Sequence, residues 1–192
     1  MEYKVIEVEG DLIEMALNGD FDVIGHGCNC HCVMGAGIAP QMAKAFGADE
    51  LPLEQEYHKG EINKLGTIDW GVVPGNAKFK QVVSPSREKI VERKIFNIFK
   101  KYDVDGIIEG LIVVNAYTQF NYGSNHPDGD KIPLDYSALE LCLLKMNKTF
   151  AGKHIGLPWI GCGLAGGDKT IVESMIKRIM IDCNVTIVTY NK

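Results

Sequence analysis

Apolar and polar side chains alternate from residue 2 to residue 8 (Glu-Tyr-Lys-Val-Ile-Glu-Val), the period of two that marks a half-buried strand. Gly10-Asp11 ends that segment and opens a short helix over Leu12 to Asn18, for which the Asp11 carboxylate is a suitable N-cap. Val23 to Gly25 predicts a short buried strand and Ile38 to Phe46 a helix. Leu65 to Val73 and Phe79 to Ser84 read as strands joined across Pro74-Gly75-Asn76, a hairpin-type connection. Lys89 to Tyr102 places Ile90, Ile95, Ile98 and Phe99 on one side of a helix and charges on the other. Gly110 to Tyr117 is a continuous apolar run, as in a strand covered on both faces.

A polar loop from Asn121 to Lys131 follows. A helix is then predicted over Leu134 to Phe150, with Leu134, Ala138, Leu141 and Cys142 at i, i+4, i+7 and i+8. Val172, Met175, Ile176 and Ile179 repeat that spacing in a last helix, where Thr170 and Glu173 would form a capping box, and Val185 to Tyr190 closes the chain as a strand. Strands alternating with helices predict an α/β fold: a three-layer αβα sandwich around a mixed, mostly parallel central sheet.

Composition narrows the choice of partners. The chain of 192 residues contains no repeat, linker or low-complexity tract, which predicts a single domain large enough for a three-layer core. Its 46% apolar and 23% charged residues are those of an ordinary soluble globule. A net charge of −5 lacks the basic face that general nucleic-acid binding needs, yet it leaves room for a small phosphate ligand held by neutral backbone donors. No run of 18 apolar residues marks a membrane span, and the first residues lack a signal peptide's apolar core. The six cysteines are therefore expected to be reduced, in a cytoplasmic protein that is monomeric.

Two strand–glycine-loop–helix junctions carry the chemistry. The first runs from Asp22-Val23-Ile24-Gly25-His26-Gly27-Cys28-Asn29-Cys30 into Met34-Gly35-Ala36-Gly37-Ile38-Ala39. The second runs from Ile155-Gly156-Leu157-Pro158-Trp159-Ile160 into Gly161-Cys162-Gly163-Leu164-Ala165-Gly166-Gly167-Asp168. Glycines let a ligand approach the main chain, and free N–H groups at a helix start attract anions. On strands of one sheet, the two loops could close on a pyrophosphate from both sides. His26 is the first candidate to carry a proton, because imidazole titrates nearest neutral pH; a structural histidine is the alternative. Asn29 offers both donor and acceptor to sugar hydroxyls, or forms an ordinary turn. Asp168 could orient water, or simply cap a helix. His126, beside Asp128, could reach the site as a lid. Cys28, Cys30 and Cys32 with His26 and His31 invite a metal, but no second ligand pair exists, so no metal is expected. Cys162 is a weaker candidate nucleophile without a clear base. Trp70, Trp159 and Tyr117 read as core, and Tyr122 as a loop aromatic packed on its own loop.

At these residues the chain resembles the macrodomain family, the ADP-ribose-binding module. The likeness spans residues 2 to 72 and 110 to 191, leaving 74 to 108 as an insertion. It implies that Asp11 and Leu12 read adenine, with the Tyr190 ring stacked on it. It further implies that Asn29 meets the distal ribose, that Met34, Gly35, Ala36, Gly37, Ile38 and Ala39 hold one phosphate, and that Gly161, Cys162, Gly163, Leu164, Ala165, Gly166 and Gly167 hold the other. His26-Gly27-Cys28-Asn29-Cys30, Asn115-Ala116-Tyr117-Thr118-Gln119 and Asp135-Tyr136-Ser137-Ala138-Leu139 are most similar to the branch that hydrolyses ADP-ribose 1''-phosphate, found in yeast and many phages. The resemblance therefore implies a phosphatase with His26, Asn29 and Asp168 as its catalytic residues, no cofactor, and ADP-ribose or its 1''-phosphate as ligand. The deacylating branch uses a lysine after the central strand and an aspartate in the second loop, where this chain has Gln119 or Phe120 and Ala165. Removal of mono-ADP-ribose from macromolecules and non-catalytic reading of ADP-ribose are the alternatives.

Overall fold

The computed structural model describes residues 3–54, 58–74, 110–123 and 132–190. Among the described residues ten helices and strands succeed one another: β1 (Val5–Glu9), α1 (Leu12–Leu17), β2 (Val23–Asn29), α2 (Ala39–Phe46), β3 (Ile68–Pro74), β4 (Gly110–Gln119), α3 (Tyr136–Thr149), β5 (His154–Leu157), α4 (Lys169–Ile179) and β6 (Asn184–Thr189). Short 3-10 turns at Ala48–Glu54 and Ile62–Lys64 lie between α2 and β3. The expected strand at 79–84, helix at 89–102 and insertion at 74–108 fall outside the described residues, apart from Pro74.

The strands form one sheet in the order β1-β6-β5-β2-β4-β3, in which β3 alone runs antiparallel to its neighbour. Pro74 ends β3 at the sheet's edge, where its missing N–H removes no interior ladder bond. Helices cover both faces. On one, Leu12, Ala16, Met42 and Phe46 of α1 and α2 pack against Ile24, Val113 and Val188. On the other, Leu139, Leu143 and Met146 of α3 and Val172, Ile176 and Ile179 of α4 pack against Val23, Val114, Ile155 and Ile187. This is the three-layer αβα arrangement that the alternation of strands and helices predicts.

Three boundaries differ for physical reasons. Strand β2 does not stop at Gly25 but runs to Asn29, because Gly27 serves close packing rather than a turn. A side chain there would meet Thr118 Oγ1 at 3.0 Å and Ile160 Cγ1 at 3.4 Å. In α3 the buried face is Ala138, Leu139, Cys142, Leu143 and Met146, while Leu141 is 49% exposed, so the expected stripe is turned by part of a residue spacing. At α4 the cap is Asp168, whose side chain accepts from Ile171 N at 3.0 Å; Thr170 lies inside the first turn, and the expected Thr170–Glu173 box does not form.

Candidate functional site

The carboxyl ends of four parallel strands bring the candidate residues to one edge of the sheet. Strands β2 and β5 are hydrogen-bonded neighbours, yet the chain leaves β2 toward α2 on one face and leaves β5 toward α4 on the other. That reversal is the topological switch point at which open α/β sheets bind ligands. Next to it, β6 and β1 deliver Tyr190 and Gly10-Asp11-Leu12 to the same edge, tied by Gly10 N donating to Thr189 O at 3.0 Å.

Asp11 caps α1: its Oδ1 accepts from Ile13 N at 2.8 Å and Glu14 N at 3.2 Å. Among the described residues no donor reaches Oδ2, so capping leaves one carboxylate oxygen for another partner. The Leu12 N–H, in the first turn, has no intrahelical acceptor, and the Leu12 side chain is buried in the core. Tyr190 is 62% exposed. Trp159, expected in the core, is instead a rim residue packed against it. Its indole N–H lies 2.9 Å from Thr189 Oγ1 and 3.1 Å from Glu7 Oε1, while Lys169 Nζ sits 4.9 Å over the ring. Hydrogen bonds from Thr189 and then Trp159 hold the Glu7 carboxyl below its usual range.

The first loop is built on Asn29. The Asn29 amide donates to Val33 O at 2.8 Å and accepts from Val33 N at 3.2 Å, folding residues 29–33 into a turn that places Cys32 at φ 58°. One amide hydrogen and one lone pair of Asn29 remain spare. The turn is anchored to the segment after β4. Cys30 N donates to both Gln119 O at 3.0 Å and Phe120 O at 3.1 Å, and His31 bonds Asn121 Oδ1 at 2.9 Å while packing edge-on to Phe120 and Tyr122. From Met34 through Ile38 no backbone N–H donates to any described residue, and α2 begins at Ile38 without a side-chain cap.

The second loop is closed by its own backbone. Gly167 N donates to Gly161 O at 2.9 Å, Gly166 N to Gly163 O at 3.0 Å, and Leu134 N to Ala165 O at 3.1 Å. Gly161 is required twice over: its φ is 75°, and a Cβ there would lie 2.6 Å from Leu134 Cδ1. Ala165 is buried while Leu164 is 77% exposed. The N–H groups of Gly161, Gly163, Leu164 and Ala165 donate to no described residue. The two loops meet at their roots, since a Cβ on Gly27 of β2 would lie 3.7 Å from Gly161 N. Two runs of backbone N–H groups without partners among the described residues thus lie at the ends of neighbouring strands, an arrangement that could hold an anion without a cationic side chain.

The structure corrects the expected place of His26. It lies inside β2 rather than at its end, has no exposed surface, and faces the α2 layer. Its Nε2–H donates to Asn115 Oδ1 at 2.8 Å, and Asn115 Nδ2 in turn donates to Ala48 O at 2.8 Å. Burial pushes its pKa down to about 4, against the opposing pull of Asn115, so it is neutral at pH 7. His26 therefore does not reach the edge as a proton carrier. Asp168 is exposed at the end of the second loop, with its Oδ1 committed to the α4 cap. Cys28, Cys30 and Tyr117 form a separate buried cluster against which Cys32 packs. Burial raises the pKa of Cys28 well above the usual value, pushes that of Cys30 up to about 12 and raises that of Cys162, so none of these thiols is poised as a nucleophile. Among the described residues no group of three His, Cys, Asp or Glu side chains could hold a metal. His126 and Asp128 lie outside the described residues.

Sequence reasoning did not single out several buried polar side chains near the loops. Tyr117 OH donates to Asp69 Oδ2 at 2.6 Å, and fully buried Lys64 stands 4.5 Å over the Tyr117 ring. Thr118 is fully buried, and its hydroxyl has no partner among the described residues. Polar residues at 115 and 118 inside an otherwise apolar strand were the available signal.

Fold and loops together define an αβα protein whose two glycine loops gather backbone N–H groups, unpartnered among the described residues, at the carboxyl ends of neighbouring strands. No family model matches the chain. It is 29% identical over 191 residues to an uncharacterized 17.5 kDa protein from the tk-vs intergenic region of Enterobacteria phage T4, covering 95% of this chain and 94% of that one. Similar solved structures are the macrodomain of Thermus aquaticus DarG (TM-score 0.60, 18% identity, 98% of this chain and 99% of that one) and Thermosipho africanus DarTG in complex with ADP-ribose (TM-score 0.61, 15% identity, 98% of this chain and 43% of that one). The chain has the macrodomain fold.

Proposed function

We propose that this chain binds ADP-ribose along the carboxyl edge of its sheet and hydrolyses ADP-ribose 1''-phosphate to ADP-ribose and phosphate. The observation that carries the reading is the pair of donor runs that follow neighbouring strands, Met34–Ile38 after β2 and Gly161 with Gly163–Ala165 after β5. They suit a pyrophosphate laid across the switch point between β2 and β5. The spare Oδ2 of Asp11 would accept from an exocyclic adenine amine while the Leu12 N–H donates to a ring nitrogen, and guanine would offer a carbonyl in place of that amine. Tyr190 would stack on the base, and Asn29 would use its spare hydrogen and lone pair on the distal ribose. The ADP-ribose complex of the structurally similar Thermosipho protein supports this choice of ligand.

With His26 buried away from the strand ends, the described donors of the loops are mainly backbone N–H groups, which suits phosphate transfer. Transfer of a phosphoryl group passes through a loose transition state with charge on its equatorial oxygens, so positioning and donors supply most of the catalysis. Water attacks phosphorus as the bond from phosphorus to the anomeric oxygen breaks; one water proton stays on the phosphate product, the other passes to solvent, and the departing oxygen takes a proton from solvent. The backbone donors would meet the charge, and the exposed Asp168 would order solvent at the loop's end. Among the described residues no helix is long and apolar enough to cross a membrane. The similarity to a phage protein supports a small-molecule ligand of the cytoplasm, that of the host for a phage-encoded chain.

The test is chromatography of ADP-ribose 1''-phosphate incubated with the protein, with calorimetric titration of ADP-ribose alongside. Many turnovers to ADP-ribose support the phosphatase. Saturable binding without turnover would leave a reader of ADP-ribose, and no binding at millimolar ligand would sink both.

A further inference from the structure

Lys169, the first residue of α4, carries a positive charge to the end of the second loop. Its place is set by Trp159 at the loop's start. Trp159 O accepts from Cys162 N at 3.0 Å, so the indole is built into the root of the loop. The indole N–H lies 2.9 Å from Thr189 Oγ1 and 3.1 Å from Glu7 Oε1, and the Thr189 hydroxyl donates to the same Glu7 oxygen at 2.6 Å. These bonds tie the loop to β6 and β1, one residue before Tyr190. Over this anchored ring stands the Lys169 ammonium, 4.9 Å from its centroid. Lys169 is exposed, and among the described residues its ammonium makes no hydrogen bond and no ion pair. Its charge nevertheless acts on both sides. Hydrogen bonds from Thr189 and Trp159 hold the Glu7 carboxyl below its usual range, and Lys169 adds to that pull. Burial raises the Cys162 thiol, and Lys169 opposes the rise. The ammonium thus stands between the β1–β6 edge, which carries Tyr190, and the loop that carries Gly161 to Ala165.

We propose that Lys169 leaves the Trp159 ring to bind the diphosphate of the ligand, at the phosphate nearer the adenosine; this rests on the ADP-ribose reading above. The choice of phosphate follows from position. The base would lie toward Asp11 and Tyr190, so the adenosine-side phosphate is the one that reaches the second loop on the Lys169 side. The energetics favour the move. A cation over an exposed aromatic face is held weakly, whereas a charge-assisted hydrogen bond to a phosphate oxygen is among the stronger polar contacts. The flexible lysine stem lets the ammonium swing without displacing α4, and the Trp159 face keeps it beside the loop until the ligand arrives. Glu7, bonded to Trp159 and Thr189, steadies that platform and leaves the ammonium unpaired. Backbone N–H groups give direction but carry no net charge, so Lys169 would supply the long-range attraction for an anionic ligand.

Isothermal titration of ADP-ribose into the native chain, Lys169→Met and Lys169→Arg, at low and at high salt, tests this. Lys169→Met keeps an apolar stem and removes the charge. It is expected to raise Kd about tenfold at low salt, with the gap narrowing at high salt as ions screen the lost attraction. Lys169→Arg keeps the charge and should hold Kd within about threefold of native. Because Lys169 is exposed, both variants should melt with the native chain; should Lys169→Met not fold, Lys169→Gln is the second uncharged variant. An uncharged variant with native Kd at low salt overturns the proposal and leaves ADP-ribose as the ligand. A loss of affinity equal at both salts also overturns it, since the shape of the loop rather than the charge would then be the cause. A native chain that binds no ADP-ribose at millimolar ligand removes the ligand reading itself, and the proposal with it, before any variant is made.

Discussion

His26 shows how much one residue's role depends on register. Three residues further along β2 it would stand at the strand's end; inside the strand it is buried on the α2 face, neutral, and bonded to Asn115. Its folded-state pKa of about 4 lies below the ordinary 6.5, so its contribution to stability is fully present above pH 6.5 and is lost as pH falls toward 4. By linkage the loss across that window is on the order of 3 kcal/mol. Urea unfolding followed from pH 7 to pH 4 checks this, and in His26→Gln the slope should flatten. Asp11 is the opposite case, legible before any fold was known because an acidic residue ahead of an apolar helix caps it whatever surrounds it. Asparagine caps equally well but offers no second carboxylate oxygen. Asp11→Asn is therefore expected to keep its melting temperature while ADP-ribose affinity falls about tenfold, roughly the value of a lost hydrogen bond to a charged group. Isothermal titration decides, and an unchanged Kd would remove Asp11 from the ligand site.

At the scale of elements, local rules located the helices and then erred at their edges. Both Thr170 and Asp168 are plausible caps in sequence; the closure of Gly167 on Gly161 selects Asp168 by ending the loop there. Thr170→Ala should change stability by less than about 0.5 kcal/mol, whereas Asp168→Ala should cost about 1 kcal/mol through loss of the cap. Chemical denaturation of the two variants would show the reverse order if the expected capping box were real. Gly161→Ala tests the second loop in the same way. Its positive φ and the Leu134 methyl 2.6 Å from the added Cβ should destabilise the protein by about 1–3 kcal/mol. Strand β2 was under-read for a related reason. Glycine in sequence signals a turn as readily as a close approach, and only the partners of Gly27 on β4 and after β5 distinguish the two.

Across the whole molecule, the donors proposed for a phosphate come from loops distant in sequence that follow neighbouring strands, so a ligand held by both would clamp β2 and β5 together. ADP-ribose at a hundred times its Kd should stabilise the fold by about 2.7 kcal/mol. For a chain of this size that raises the melting temperature by roughly 5–10 °C. Scanning fluorimetry with ADP-ribose, and with its guanine counterpart as the weaker ligand, measures both the clamp and its preference for adenine. Absence of any shift at saturating ADP-ribose would contradict the ligand.

What the sequence determined alone was whatever depends on neighbours along the chain: the alternation of strands and helices, the Asp11 cap, the two glycine loops at the strand ends, and hence the αβα class. The tertiary structure decided whatever depends on residues far apart in sequence. It put β5 beside β2, buried His26 against Asn115, and turned Trp159 to the rim through Glu7 and Thr189. It also packed Thr118 and Ile160 closely against Gly27. Backbone propensity and hydrophobic period act over a few residues and can be read from one chain. Which face a strand residue takes, and what it meets there, follows from pairing register, which a single bulge is enough to change.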